Sequence, residues 1–157
     1  NGTVQDAVTD RSGITGEKME LGFYEVVNGN ATVAYIHPGN KLATVVAFNE
    51  ALDTQVAREI AMQVAAMNPI AVKRDEVPAN IIATELAVGR EKARQEGKPE
   101  AMLDKIAEGR LNKFYKESTL LEQEFIKDAK LSVQQYLKQA SASLTATAFK
   151  RVTLNEE

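Results

Sequence analysis

KPEAMLDKIAEGRLNKFYKESTLLEQEFIKD, from Lys98 to Asp128, contains Leu103, Ala107, Leu111 and Phe114 spaced three to four residues apart among charged neighbours. That spacing lines one face of a helix with apolar side chains, and such a face needs a partner to bury against. The residues just upstream supply one. Pro78 stands where a proline is tolerated, in the first turn of a helix that continues through Ile82, Leu86 and Ala93 to the break at Gly97-Lys98-Pro99. Two helices joined by so short a link run antiparallel, which predicts a helical hairpin over 78–117. Its mixed charges, Arg90 through Lys116, read as a solvated face, and many of its core positions are alanine. The hairpin is therefore expected to project from the body or to pack on another subunit. In the second case Leu103, Ala107, Leu111 and Phe114 offer more apolar surface than one alanine-rich helix covers.

Outward from the hairpin the period of the apolar pattern changes several times. Upstream, Asp53 is placed to cap a helix in which Val56, Ile60, Val64 and Met67 recur at helical spacing until Pro69 stops it. Met62 and Met67 read as core. Before that helix, Met19, Leu21, Phe23 and the pair Val26-Val27 alternate as a half-buried strand does, and Asn28-Gly29-Asn30 is a turn signal. Ala31 to Ile36 forms the next run, Pro38-Gly39-Asn40 breaks it, and Leu42 to Phe48 has the apolar content of a central strand, which predicts a three-stranded antiparallel meander. Val4, Ala7 and Val8 suggest a short helical turn ended in the Gly13 to Gly16 region. Downstream of the hairpin, Thr119 to Lys127 looks irregular, Val133 to Ala140 reads as a short helix and Leu144 to Leu154 alternates as a closing strand. The expected class is α+β: an antiparallel sheet of about three strands plus a closing strand, covered by amphipathic helices, with a protruding antiparallel helical hairpin.

The chain of 157 residues is long enough to bury a core of its own. Lysine and arginine number 19 against 22 acidic residues, and a net charge of -3 gives no pull toward nucleic acid or an anionic membrane. There is no cysteine, which excludes disulfides, thiolate metal sites and cysteine nucleophiles and is compatible with a reducing cytoplasm. No apolar run approaches the roughly 20 residues that span a bilayer, and no basic-then-apolar signal opens the chain, so a cytoplasmic protein is expected. The first residue, Asn1, is followed directly by a polar segment, which suggests a piece cut from something longer.

Motifs for chemistry are lacking. No phosphate-binding or dinucleotide glycine loop, no His and Cys at metal-ligand spacing and no serine in a nucleophile elbow occurs. His37 is the only histidine, so a site built on paired imidazoles within one chain is ruled out. A histidine between a strand and a proline-glycine turn is in most proteins a surface or edge residue. No cofactor and no metal are expected, and the reading is of a protein that binds rather than catalyses.

Three stretches, in order, carry a resemblance: Ile36 to Val46 (IHPGNKLATVV), Ile60 to Pro69 (IAMQVAAMNP) and the opening Lys98 to Asp128 stretch. Together they resemble bacterial translation elongation factor Ts, the nucleotide exchange factor of elongation factor Tu, over essentially the whole chain. The resemblance implies an exchange factor that acts by favouring the partner conformation that holds guanine nucleotide and magnesium poorly. That is differential affinity for two states rather than bond making. In the family an H-x-G motif contacts the third domain of elongation factor Tu, and here it stands as His37-Pro38-Gly39. Gly39 also suits a turn that brings backbone against a partner. A second motif, Ile-Gly-Glu-Asn, touches the partner's nucleotide-binding domain; here Thr15-Gly16-Glu17-Lys18 keeps Gly16 and Glu17 and replaces the apolar residue. Where the family usually reads Gln-Pro-Phe-Val, this chain has Gln123-Glu124-Phe125-Ile126. Losing proline loosens the backbone, yet the apolar pair remains, and Ile126 and Lys127 stay candidates for partner contact.

The resemblance implies a division of the chain into the end of an N-terminal core subdomain, 1–27, and a C-terminal core subdomain, 28–157, that includes the hairpin. The family's N-terminal three-helix domain and its Thr-Asp-Phe-Val wedge motif do not occur in these residues. The expected function is that of the core, or dimerisation, part of the factor. The alternative is a self-associating structural module, a homodimer through hairpin and sheet edge with little exchange activity of its own.

Overall fold

The computed structural model describes residues 1–155. Positions 156 and 157, the end of the second expected subdomain, lie outside the described residues. Helix α1 spans Val4–Thr15, opened by a capping box at Thr3 and closed by Gly16, and buries none of its residues. Strands β1 (Ala31–Ile36) and β2 (Leu42–Phe48) pair antiparallel, with Val33 opposite Val46 and Tyr35 opposite Thr44. Helix α2 covers Thr54–Met67, with Asp53 accepting the Gln55 and Val56 N–H groups at 2.9 and 3.3 Å. Helices α3 (Ala79–Gln95) and α4 (Leu103–Ser118) form the hairpin. After it come β3 (Glu124–Phe125), β4 (Asp128–Ser132), α5 (Val133–Ala140) and β5 (Ala146–Thr153).

The class is the one expected, α+β, with a three-stranded sheet in the order β1-β2-β5 and a small β3-β4 ribbon. The closing strand is the third member of the main sheet, paired antiparallel to β2. The strand expected over Met19–Val27 does not form. Glu25 reaches Lys150 on β5 at 3.8 Å, and a Cβ added to Gly29 would lie 2.7 Å from the Ala47 Cβ. The segment therefore crosses over the outward sheet face instead of lying beside β1. Period-two alternation describes an extended segment; only an available edge turns it into a strand. Met19, Leu21, Phe23 and Val26 consequently remain exposed.

Pleating sends Thr44, Val46 and Phe48 to one face, where Ala57, Ile60, Ala61 and Val64 of α2 meet them. The Thr44 hydroxyl, buried under the helix, donates to the Ala61 carbonyl at 2.9 Å and is satisfied there. A different flank of α2 meets the region after the hairpin, where Leu120, Phe125, Val133 and Leu137 complete the core. Phe125 stacks on Tyr136 with ring centroids 4.0 Å apart. Met62 is half-buried, but Met67, expected in the core, is 45% exposed because it is the last residue of α2, past the buried stripe that ends at Val64 and Ala65.

In the hairpin, Gly89, Ala93, Leu103 and Ala107 are buried between α3 and α4, while Leu111 and Phe114 are half-buried. A Cβ at Gly89 would approach the Ala107 Cα to 3.1 Å, which shows how closely the two backbones run. Leu103 and Ala107 are thus used inside the hairpin. At its root, Arg74 donates to both carboxylate oxygens of Glu122 at 2.6 and 2.8 Å and to Asn112 at 2.9 Å, and its guanidinium lies 4.8 Å from the Tyr115 ring centroid. The segment at Ile70–Val72 runs parallel to the one leaving α4, bonded through Ile70 to Ser118 and Leu120 to Ala71.

Two predictions follow the hairpin. Replacing residues 80–116 by a short Gly-Ser loop is expected to leave the body folded, because the backbone bonds at Ile70 and Leu120 hold both ends and closure cost grows slowly with loop length. Circular dichroism should show lost helix with a melting point within a few degrees of the parent; an unfolded shortened chain would refute this. Glu122→Gln should cost about 1 kcal/mol near neutral pH. The Arg74 hydrogen bonds hold the Glu122 carboxyl below its ordinary value of 4.5. The contribution is therefore full above that value and vanishes as pH falls through the lower folded one, so thermal melts of the two proteins should converge in acid.

Candidate partner-binding site

The turn after β1 sets the first wall of the site. His37 N–H bonds to the Leu42 carbonyl at 2.9 Å and Asn40 N–H to the His37 carbonyl at 3.0 Å, closing a tight turn across Pro38 and Gly39. Gly39 has φ +97°, a conformation that a side chain would strain, and proline ahead of it presets the turn. The His37 ring sits edge-on to Tyr35, its Nδ1 3.0 Å from the tyrosine hydroxyl. Tyr35 is itself held by burial and by Arg58, whose guanidinium lies 5.4 Å from the ring centroid. The imidazole is thus aimed by neighbours while remaining exposed.

The second wall comes from the region after the hairpin. Phe125 turns inward against Tyr136 and belongs to the core, so it is not offered to a partner alongside its neighbour. Ile126, one position on, faces outward and is 39% exposed. Lys127 beside it is exposed. The floor is α2. Met62, Ala65 and Ala66 join Tyr35, His37, Leu42 and Ile126 around one cavity of about 180 Å³. Small side chains at two of the three helical positions leave the space open.

The structure therefore unites His37 and Ile126, with Gly39 in the adjoining turn. Gly16 and Glu17 are elsewhere, at the end of α1, exposed and outside the lining of this groove. Leu103, Ala107, Leu111 and Phe114 lie in the hairpin, away from it. Sequence reasoning missed the floor, and it missed Gln63 and Gln123. Both are fully buried, and the Gln63 carboxamide holds the Ile126 backbone. A signal existed: Gln63 stands on the same helical stripe as Val56, Ile60 and Met67, a polar residue where an apolar one is expected.

Among the described residues no group of three or more His, Asp or Glu could hold a metal ion. No helix among them is long and apolar enough to cross a membrane. A small, largely apolar groove rimmed by an aimed imidazole is suited to receiving a side chain of another protein.

A family model described as elongation factor TS matches residues 1–156. This chain belongs to the elongation factor Ts family. Curated proteins named elongation factor Ts are similar to it: that of Porphyromonas gingivalis is 59% identical over 155 residues, covering 99% of this chain. The Azobacteroides pseudotrichonymphae protein is 56% identical over 96% of the chain, and the Amoebophilus asiaticus protein 50% identical over 96%. The chain spans about half the length of these elongation factor Ts proteins, 57, 55 and 55% respectively.

Proposed function

We propose that this chain binds elongation factor Tu through the His37–Ile126 groove and promotes guanine nucleotide release by favouring the partner conformation that holds nucleotide weakly. The observation that carries the proposal is the meeting of two motifs, distant in sequence, at one cavity walled by His37 and Ile126. Membership of the elongation factor Ts family supports the choice of partner. No bond is made or broken, so the activity is that of a non-catalytic exchange factor acting where translation runs, in the cytoplasm. Gly16 and Glu17 are proposed as a separate contact. Because α1 buries no residue, residues 1–27 are proposed to belong to a different subdomain from 28–157.

The test is binding and release together. The 157-residue chain should bind purified elongation factor Tu measurably, yet speed release of a fluorescent guanine nucleotide less than a full-length relative, since it spans only about half of such a protein. His37→Ala should weaken that binding by about 1–2 kcal/mol, roughly five- to thirtyfold, with an unchanged melting point. No measurable binding, or a large loss of stability on removing the imidazole, would contradict the reading; full exchange activity would contradict only the expected shortfall against a full-length relative.

A second reading is self-association, and one observation favours it: Ile36 is 64% exposed on the outward sheet face, near exposed Phe23 and half-buried Val152. This supports a contact on the sheet rather than on the hairpin. Ile36→Glu should then shift sedimentation toward monomer, whereas hairpin removal should not.

A further inference from the structure

The segment that carries Ile126 follows β3, which pairs with β4 on one side and is held by a side chain on the other. Gln63, fully buried on α2, accepts the Ile126 N–H at 2.8 Å and donates from Nε2 to the Glu124 carbonyl at 3.0 Å. One carboxamide thus engages the C=O of one residue and the N–H of the next but one, as the backbone of a neighbouring strand would. Gln63 is oriented in turn, because its Nε2 lies 3.2 Å from Gln123 Oε1. Gln123 donates to the Glu117 carbonyl at 3.0 Å and the Met67 carbonyl at 3.4 Å, groups at the C-terminal ends of α4 and α2 that no helical bond satisfies. Reversing either amide would set donor against donor or acceptor against acceptor, so the network admits one arrangement.

Stability alone does not account for this glutamine. On an apolar stripe, a leucine would gain burial without needing partners, whereas a buried amide contributes little net free energy once its desolvation is counted. What the amide adds is geometry. Residue 124 is glutamate, free of the fixed φ that a proline would impose, so the local backbone is set by its pairing with β4 together with this clamp. Ile126 then presents its side chain to the cavity whose other wall is His37.

We propose that Gln63 is the positioning residue of the groove: it fixes the main chain at 124–126 and so sets Ile126 opposite His37. This rests on the reading of that groove as the contact for elongation factor Tu.

The test uses the 157-residue chain with Gln63→Leu, with Gln63→Met as a parallel variant of similar volume and more flexible fit, each alone and combined with Ile126→Ala. Amide hydrogen exchange reads the clamp without any partner. Exchange at Ile126 should quicken at least about tenfold while the amides of Val46 and Val64 keep their protection. Affinity for elongation factor Tu, measured by calorimetry, should fall about tenfold on Gln63→Leu in the parent and less than about twofold when Ile126 is already alanine. Unchanged exchange at Ile126, or an equal affinity loss in both backgrounds, overturns the proposal; the second result would assign Gln63 a purely structural role. If the parent chain does not bind elongation factor Tu, the reading of the partner fails. Quickened exchange confined to Ile126 would then still support the clamp, and unchanged exchange would reject it.

Discussion

Ile60→Ala is expected to lower folding stability by about 4 kcal/mol, a large share of what a domain of this size possesses. Ile60 is wholly buried in the core cluster that joins α2 to Val46 and Phe48. Truncation removes the transfer free energy of the lost carbons and leaves a cavity that a rigid sheet cannot collapse into. Urea unfolding should show a lower midpoint with an unchanged slope. A loss below about 1 kcal/mol would mean that α2 rests loosely on the sheet. The groove should suffer with the core, since α2 supplies its floor.

Ala66→Trp is expected to have the larger functional effect. Ala66 is exposed at the edge of the cavity, so an indole there meets solvent and the groove rather than the packed core. Helix propensity changes by a few tenths of a kcal/mol, too little to disturb folding. A cavity of about 180 Å³ cannot admit both an indole and a partner side chain. Affinity for elongation factor Tu should therefore drop at least about thirtyfold, about 2 kcal/mol, while the melting point stays near that of the parent. Undiminished binding would place the contact elsewhere on the molecule.

Elements whose burial is decided locally were legible from residues alone. The Asp53 cap and the stripe Val56, Ile60, Val64 locate α2, and Val133–Ala140 appears as α5 with the bounds expected. The hairpin was readable because two amphipathic stripes and a Gly-Lys-Pro break constrain their own connection. His37 and Gly39 were visible as a turn whose chemistry is local, and Ile126 and Lys127 through a motif.

Long-range geometry decided the rest. Whether Met19–Val27 becomes a strand depends on a free edge, and only the folded chain shows that the segment crosses the outward face to reach Lys150. Phe125 and Ile126 look alike as an apolar pair, yet consecutive side chains point to opposite sides, so one stacks on Tyr136 and the other faces the groove. Gln63 and Gln123 are polar residues among apolar ones until α2, the end of α4 and the 124–126 segment converge on them. By itself the sequence determined which segments are helical and where they stop, because those follow from neighbours within a few residues, and three ordered motifs carried the family. Only the tertiary structure decided which residues share a surface, because a groove made by β1, α2 and the chain after the hairpin exists only once burial has brought the three together.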